Sequence, residues 1–230
     1  MKFRLLCFAS HLTISFIIAM ISLWVVFGVW YPSPLDEALG VTDIFILLLG
    51  IDLIIGPLLT LLVAKQGKKT LKMDLSLIGV LQVAALGYGF YIVAQGRPVW
   101  VVYDNKRFEV VQAFEAITQQ DSPSHFQVRI MGIEWGAVVD SLPADFDRNN
   151  AYAQQEFLQS YDLVAAKAAA QAIPIEVLNR FNEHAKVNEL LSHYPDADGY
   201  IPVVAKEKAL VVLVNKSIGE RVAIVDLSPW

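Results

Sequence analysis

Residues 44–94 read IFILLLGIDLIIGPLLTLLVAKQGKKTLKMDLSLIGVLQVAALGYGFYIVA. Two apolar runs, 44–64 and 75–94, enclose one short hydrophilic stretch with lysines at 65, 68, 69 and 72. Each run has about the 20 residues a helix needs to cross the hydrocarbon core of a bilayer. A third apolar run, residues 5–30, precedes them and is long enough to span with some tilt. Its basic start, Lys2 and Arg4, raises the competing reading of a cleaved signal peptide. Signal h-regions are only about 7–15 residues and end in a small-residue cleavage site. This run is longer and ends in Trp30-Tyr31-Pro32, so it reads as an anchor. The fold expected is a three-helix transmembrane bundle in residues 1–96, followed by a smaller domain in residues 97–230.

The bulk numbers agree with that division. The chain has 230 residues, 55% of them hydrophobic, and a mean hydropathy of +0.47. Soluble domains average about 45–50% apolar residues, and the excess here sits before residue 96. Residues 97–230 carry about −6 of the net charge of −5, with residues 1–96 near +1, which argues against a nucleic-acid partner, since that needs a basic face. Cys7 is the only cysteine, so no disulfide within the chain and no cysteine metal cluster can form.

The lysine loop also orients the helices. The loop at 32–43 carries Asp36, Glu37 and Asp43 and no base. The positive-inside rule then places the N-terminus and the lysine loop in the cytoplasm, with the acidic loop and residues 97–230 on the other side. Trp24, Trp30 and Tyr31 close the first run, and Tyr88, Phe90, Tyr91 and Trp100 flank the end of the third. These are the residue types of interfacial belts.

Asp52 lies in the middle of the second run, and an acid there costs about 2.5–3.5 kcal/mol on insertion scales. It should therefore face another helix, with Gln82, His11, Thr13 and Ser15 as candidate partners. Gly56-Pro57 adds a surface for close approach and a kink, and Gly79, Gly87 and Gly89 do the same for the third helix. Asp52, Gly56, Pro57 and Gln82 are thus candidates for locking the bundle or for holding a partner's helix. A proton relay is the weaker reading, because one acid without a chain of further acids is a poor proton path.

Residues 98–103 and 107–112 read as two strands around an Asp104-Asn105 turn. Residues 125–131 alternate like a strand, with Phe126, Val128 and Ile130 on one face, and 143–150 form a polar break. Residues 151–172 carry apolar side chains at helical spacing (Phe157, Tyr161, Val164, Ala165, Ala168). Pro174 opens a second helix to about residue 193. Strands at 201–205, 210–214 and 221–225 follow, the last two joined by a glycine-containing hairpin loop. The domain is a small α+β unit, a mainly antiparallel sheet with two helices.

Catalytic patterns are missing. His11, His125, His184 and His193 include no pair at i, i+4. Asp196-Ala197-Asp198-Gly199 begins like a calcium loop but lacks the later oxygen ligands and closing Glu, and reads as a turn. There is no Gly-x-Ser-x-Gly elbow and no phosphate-cradling glycine loop. Asp145 and Asp147 sit in a solvated loop. The expectation is a non-enzyme without cofactor, metal or small-molecule substrate.

Four segments carry a family resemblance: Gly50-Ile51-Asp52 with Gly56-Pro57-Leu58-Leu59-Thr60-Leu61; the lysine loop into Asp74-Leu75 and Leu81-Gln82; 94–111, with Gly96-Arg97-Pro98 and Asp104-Asn105-Lys106-Arg107; and Val225-Asp226-Leu227-Ser228-Pro229-Trp230. In these the chain resembles the TfpX/TfpZ family of type IV pilin accessory proteins of Gram-negative bacteria. The resemblance implies an inner-membrane protein with a periplasmic C-terminal domain, acting beside a major type IV pilin to tune pilus assembly or retraction. It supplies no catalytic residues. The alternative is a membrane-anchored periplasmic sensor or binding module. It is disfavoured by the little chain left on the cytoplasmic side. A membrane enzyme and a transporter subunit fit less well still, for want of a catalytic motif and of an evident path.

Overall fold

The computed structural model describes residues 1–118, 126–143 and 148–230. In chain order the helices are α1 (Lys2–Val25), α2 (Leu35–Ala38), α3 (Val41–Val63), α4 (Leu71–Gln95), α5 (Ala165–Ala170) and α6 (His184–Ser192). The strands are β1 (Pro98–Asp104), β2 (Arg107–Gln112), β3 (Glu134–Val138), β4 (Leu158–Ser160), β5 (Ile173–Pro174), β6 (Gly199–Val204), β7 (Leu210–Asn215) and β8 (Glu220–Val225). The chain divides into two compact units: Met1–Trp30 with Gly40–Gln95, and Tyr31–Leu39 with Gly96–Trp230.

The first unit holds three helices long and apolar enough to cross a membrane. They are apolar all round, the pattern of a span with lipid on its outer side. Ile17, Ile21, Leu47, Ile54, Leu77 and Val80 are all exposed. The inner face of α1 is built from small residues, with Ser15, Ala19 and Ser22 buried one helical turn apart. Small residues let helix backbones approach where lipid supplies no hydrophobic drive. At its end α1 widens into one π-helical turn, Val26–Trp30. There Phe27 meets the fully buried Phe45 edge-on, and Phe45 and Trp30 both meet Phe90, with ring centroids 5.5–5.9 Å apart.

The second unit is one sheet in the order β4-β3-β1-β2-β6-β7-β8, with β5 also paired to β6. The pairings of β1 with β3 and of β2 with β6 are parallel. The others are antiparallel, so the expected α+β class with a mainly antiparallel sheet stands. The sheet curls. A flat sheet would set β3 and β8 about 24 Å apart, five spacings of roughly 4.8 Å. Yet the Arg221 guanidinium on β8 lies 4.5 Å from the Trp135 ring on β3. Gly219, at φ 75°, lets the β7–β8 loop rest on the start of α5, where an added Cβ would press on Ala165 and Ala166 backbone.

Several expected elements differ. Residues 126–131 form no strand; His125 lies outside the described residues, as do Asp145 and Asp147. Phe126 turns in against Trp100, while Arg97 and the Trp100 indole bond the carbonyls of Arg129 and Gln127. β3 instead takes the place beside β1. The helix expected over 151–172 shrinks to α5, because β4 leaves the helical path to pair with β3. The second expected helix is broken as well. Pro174 belongs to β5, a 3-10 segment covers Ile175–Arg180, and α6 begins at His184. At the break, Asn182 bonds Ser228 through both ends of its amide, competing with the helix for its own backbone.

Residues 31–39, read with the membrane region on sequence, fold into the sheet unit. Tyr31, Leu35 and Ala38 are buried. The Glu207 amide donates to the Ala38 carbonyl at 2.9 Å, and Lys208 reaches both Glu37 at 3.5 Å and Asp226 at 2.6 Å.

Candidate functional site: a polar pair among apolar helices

α3 buries Val41, Phe45, Leu49, Gly56, Pro57 and Thr60, and Asp52 falls on the same stripe by the 3.6-residue period. α4 runs against this stripe. The Gln82 side-chain amide donates to Asp52 Oδ1 at 3.0 Å and to the Asp52 carbonyl at 3.1 Å. The amide lies on the bare Cα of Gly56, where a Cβ would overlap it. One helical turn pair further along, Gly89 receives Leu48 in the same way. Gly79 and Gly87 face open space instead, so the close approach of α4 rests on Gly89 and on Gly56 of its neighbour. α3 runs unbroken through Pro57.

Of the other candidate partners, His11 Nδ1 lies 2.6 Å from Thr60 Oγ1, which ties α1 to α3. Thr13 donates to the Ala9 carbonyl within α1. Ser15 is buried beside Asp52 and Gln82 in a cavity of about 130 Å³. A second cavity, about 180 Å³, opens on the other side of the pair and is lined by apolar residues of α3 and α4. Gln82 Oε1 is buried without a hydrogen-bond partner. The Gln82 amide is the one donor on the Asp52 carboxylate among the described residues. The pair can lock two helices, and it keeps acceptor capacity in reserve. Among the described residues no group of three or more His, Cys, Asp or Glu is placed to hold a metal ion.

The sheet unit holds a second chemical feature, which no sequence motif announces. Arg221 is stacked between Trp135 at 4.5 Å and Tyr161 at 4.8 Å. Phe108 meets both aromatic rings, and Tyr103 joins Phe108 and Tyr161. Burial pushes the Tyr161 phenol up to about 12, against the opposing Arg221 charge. Burial also lowers the Arg221 guanidinium, against the Asp162 charge. The residues come from positions 103 to 221, so only the curl of the sheet assembles them.

A family model described as fimbrial assembly protein FimB matches residues 1–40. The fimbrial assembly protein of serogroup E1 of Dichelobacter nodosus is 38% identical over 96 residues, 41% of this chain and 37% of the relative. That of serogroup I is 36% identical over 103 residues, 44% of this chain and 40% of the relative. That of serogroups C1 and C2 is 36% identical over 96 residues, 41% of this chain and 73% of the relative. The alignments thus span about two fifths of the first two relatives and nearly three quarters of the third. No solved structure matches the chain. On the identity and coverage of the third relative, the chain belongs to the fimbrial assembly protein family.

Proposed function

We propose that the protein is a non-catalytic accessory factor of type IV pilus assembly, of the TfpX/TfpZ kind, working beside a major pilin in the bacterial inner membrane. The observation that carries this reading is the match to fimbrial assembly proteins, joined to three helices fit to cross a membrane with a polar pair among them. In this reading the N-terminus and the lysine loop face the cytoplasm, and the sheet unit stands in the periplasm. The helices hold the membrane segment of a pilin subunit, and the sheet unit meets the subunit's globular part.

A clean deletion in the native host tests it, with total pilin and surface pili measured while the retraction motor is active and while it is disabled. Surface pili should be lost and should return when retraction is disabled, which assigns the protein to the balance of assembly and retraction. Pili missing in both backgrounds move its action to an earlier step, such as pilin stability. Normal pili in both backgrounds overturn the reading. A reporter active only in the periplasm, fused after Trp230 or within the lysine loop, checks the orientation: activity is expected from the first fusion alone.

A further inference from the structure

α3 packs against α1 and against α4, while α1 and α4 hardly touch each other. A groove therefore opens between α1 and α4 with α3 as its floor. His11, Ser15, Asp52, Gly79, Gln82 and Val83 line it. It continues past Asp52 and Gln82 into the cavity between α3 and α4. Toward the other end it runs past His11 and Ile14 into a hollow of about 420 Å³. Its wall is partly empty, since Gly79 has nothing within 4 Å of an added Cβ and Val83 is 71% exposed.

The polar floor leaves acceptor capacity unused. The Gln82 amide nitrogen donates to the Asp52 carbonyl and to its Oδ1, the Asp52 carboxylate takes no other donor among the described residues, and Gln82 Oε1 has no partner. His11 Nδ1 is engaged with Thr60. Within a bilayer core no water completes such a set. Asp52 is the central residue of α3, Val41–Val63, so about 16 Å of helix separates it from either end at 1.5 Å per residue. A lipid headgroup does not reach that depth, and acyl chains carry no donor. A second copy of the chain offers apolar outer faces at mid-helix, such as Ile17, Ile21, Leu47, Ile54, Leu77 and Val80.

We infer that the groove between α1 and α4 is the seat of one transmembrane helix of a different protein, which carries a hydrogen-bond donor (a hydroxyl, amide or amine) at mid-membrane depth. The donor bonds the Asp52 carboxylate, which Gln82 alone serves among the described residues, and the helix packs over Gly79 and Val83 as the fourth member of the bundle. This deepens the proposed function, in which the seated helix is that of the pilin subunit.

The test uses the full chain in its native membranes, with a photo-crosslinking amino acid at Val83 in the groove or at Leu47 and Leu77 outside it. The expected result is an adduct from Val83 alone, whose crosslinked peptide maps to a transmembrane segment with a donor side chain near its middle. The adduct should fall at least about fivefold when Asp52 and Gln82 are both changed to Leu, and persist in Asp52→Asn, which keeps an acceptor. The seat is overturned if Val83 and the outer positions give the same products, if the adduct is with a second copy, or if it survives loss of both polar side chains. A mapped donor helix that is not a pilin supports the seat and removes the pilin from it. No adduct at Val83, with pili still lost on deletion, removes the seat and leaves the accessory role intact.

Discussion

At Asp52 one side chain, Gln82, does through two hydrogen bonds the work that a dry core does elsewhere in the bundle. Gln82 needs an acceptor there more than it needs a charge, because its amide is the donor in both contacts. Asp52→Asn should therefore keep the helix contact to within about 0.5 kcal/mol. Asp52→Leu should cost between about 0.6 and about 1.7 kcal/mol, the average and the maximum for hydrogen bonds between membrane helices. Unfolding of the purified chain in detergent or bicelles measures both, and equal damage by Asn and Leu would mean that the charge itself is required. Gly56→Ala is the companion test. Its methyl group displaces the Gln82 amide, so it should cost as much as Gln82→Ala, and the double variant should cost little more than either alone.

Among the elements, the segment around α2 shows how ion pairs fasten a loop. Lys208 joins Glu37 to Asp226, and Lys186 adds to Asp226. Burial works to raise the Asp226 carboxyl, but the Lys208 hydrogen bond and the charges of Lys186 and Lys208 outweigh it and hold the group below its usual value. A depressed carboxylate stabilises the fold above its unfolded pKa, about 3.9, and loses that contribution as pH falls through the folded value. The Glu207 amide, bonded to Ala38, should therefore lose hydrogen-exchange protection below about pH 4. In Asp226→Asn it should be weakly protected already at neutral pH. Unchanged protection in that variant would show that apolar burial of Tyr31 and Leu35 alone holds the loop. The β1–β2 hairpin gives a second case. Asn105 and Lys106 both have positive φ, 47° and 70°, as a two-residue primed turn demands. Lysine at such an angle is strained, so Lys106→Gly should stabilise the sheet unit by up to about 1 kcal/mol. A lower denaturation midpoint for that variant would refute this.

Across the whole sheet unit the curl is the decisive feature, and Arg221 is its clasp. The guanidinium is planar and weakly hydrated, so it stacks between the Trp135 and Tyr161 rings at a lower desolvation cost than a compact ammonium. Arg221→Lys should cost about 1–2 kcal/mol, seen as a lower denaturation midpoint by near-ultraviolet circular dichroism. Arg221→Met, which keeps the apolar stem, should cost less. A Lys variant as stable as the native chain would mean that the curl is set by the backbone and by α5 alone.

The sequence by itself determined the three membrane helices, the Asp52–Gln82 candidates and the strands at β1, β2, β6, β7 and β8. Each is a local signal: an apolar run of spanning length, one acid inside it, or an apolar segment bounded by turn residues. It also carried the family resemblance, which the comparisons support at the level of fimbrial assembly. Only the tertiary structure decided the rest. Residues 151–163 have helical spacing, yet Leu158–Ser160 pairs with β3, because filling a sheet edge outweighs a propensity worth only tenths of a kcal/mol per residue. Glu134–Val138 is short and contains a glycine, and it becomes a strand only because β1 offers a parallel ladder. Periodicity reports the face a residue turns inward, but not which distant segment waits there. For that reason the Arg221 clasp, the fastening of residues 31–39 and the open groove between α1 and α4 were invisible until the chain was folded.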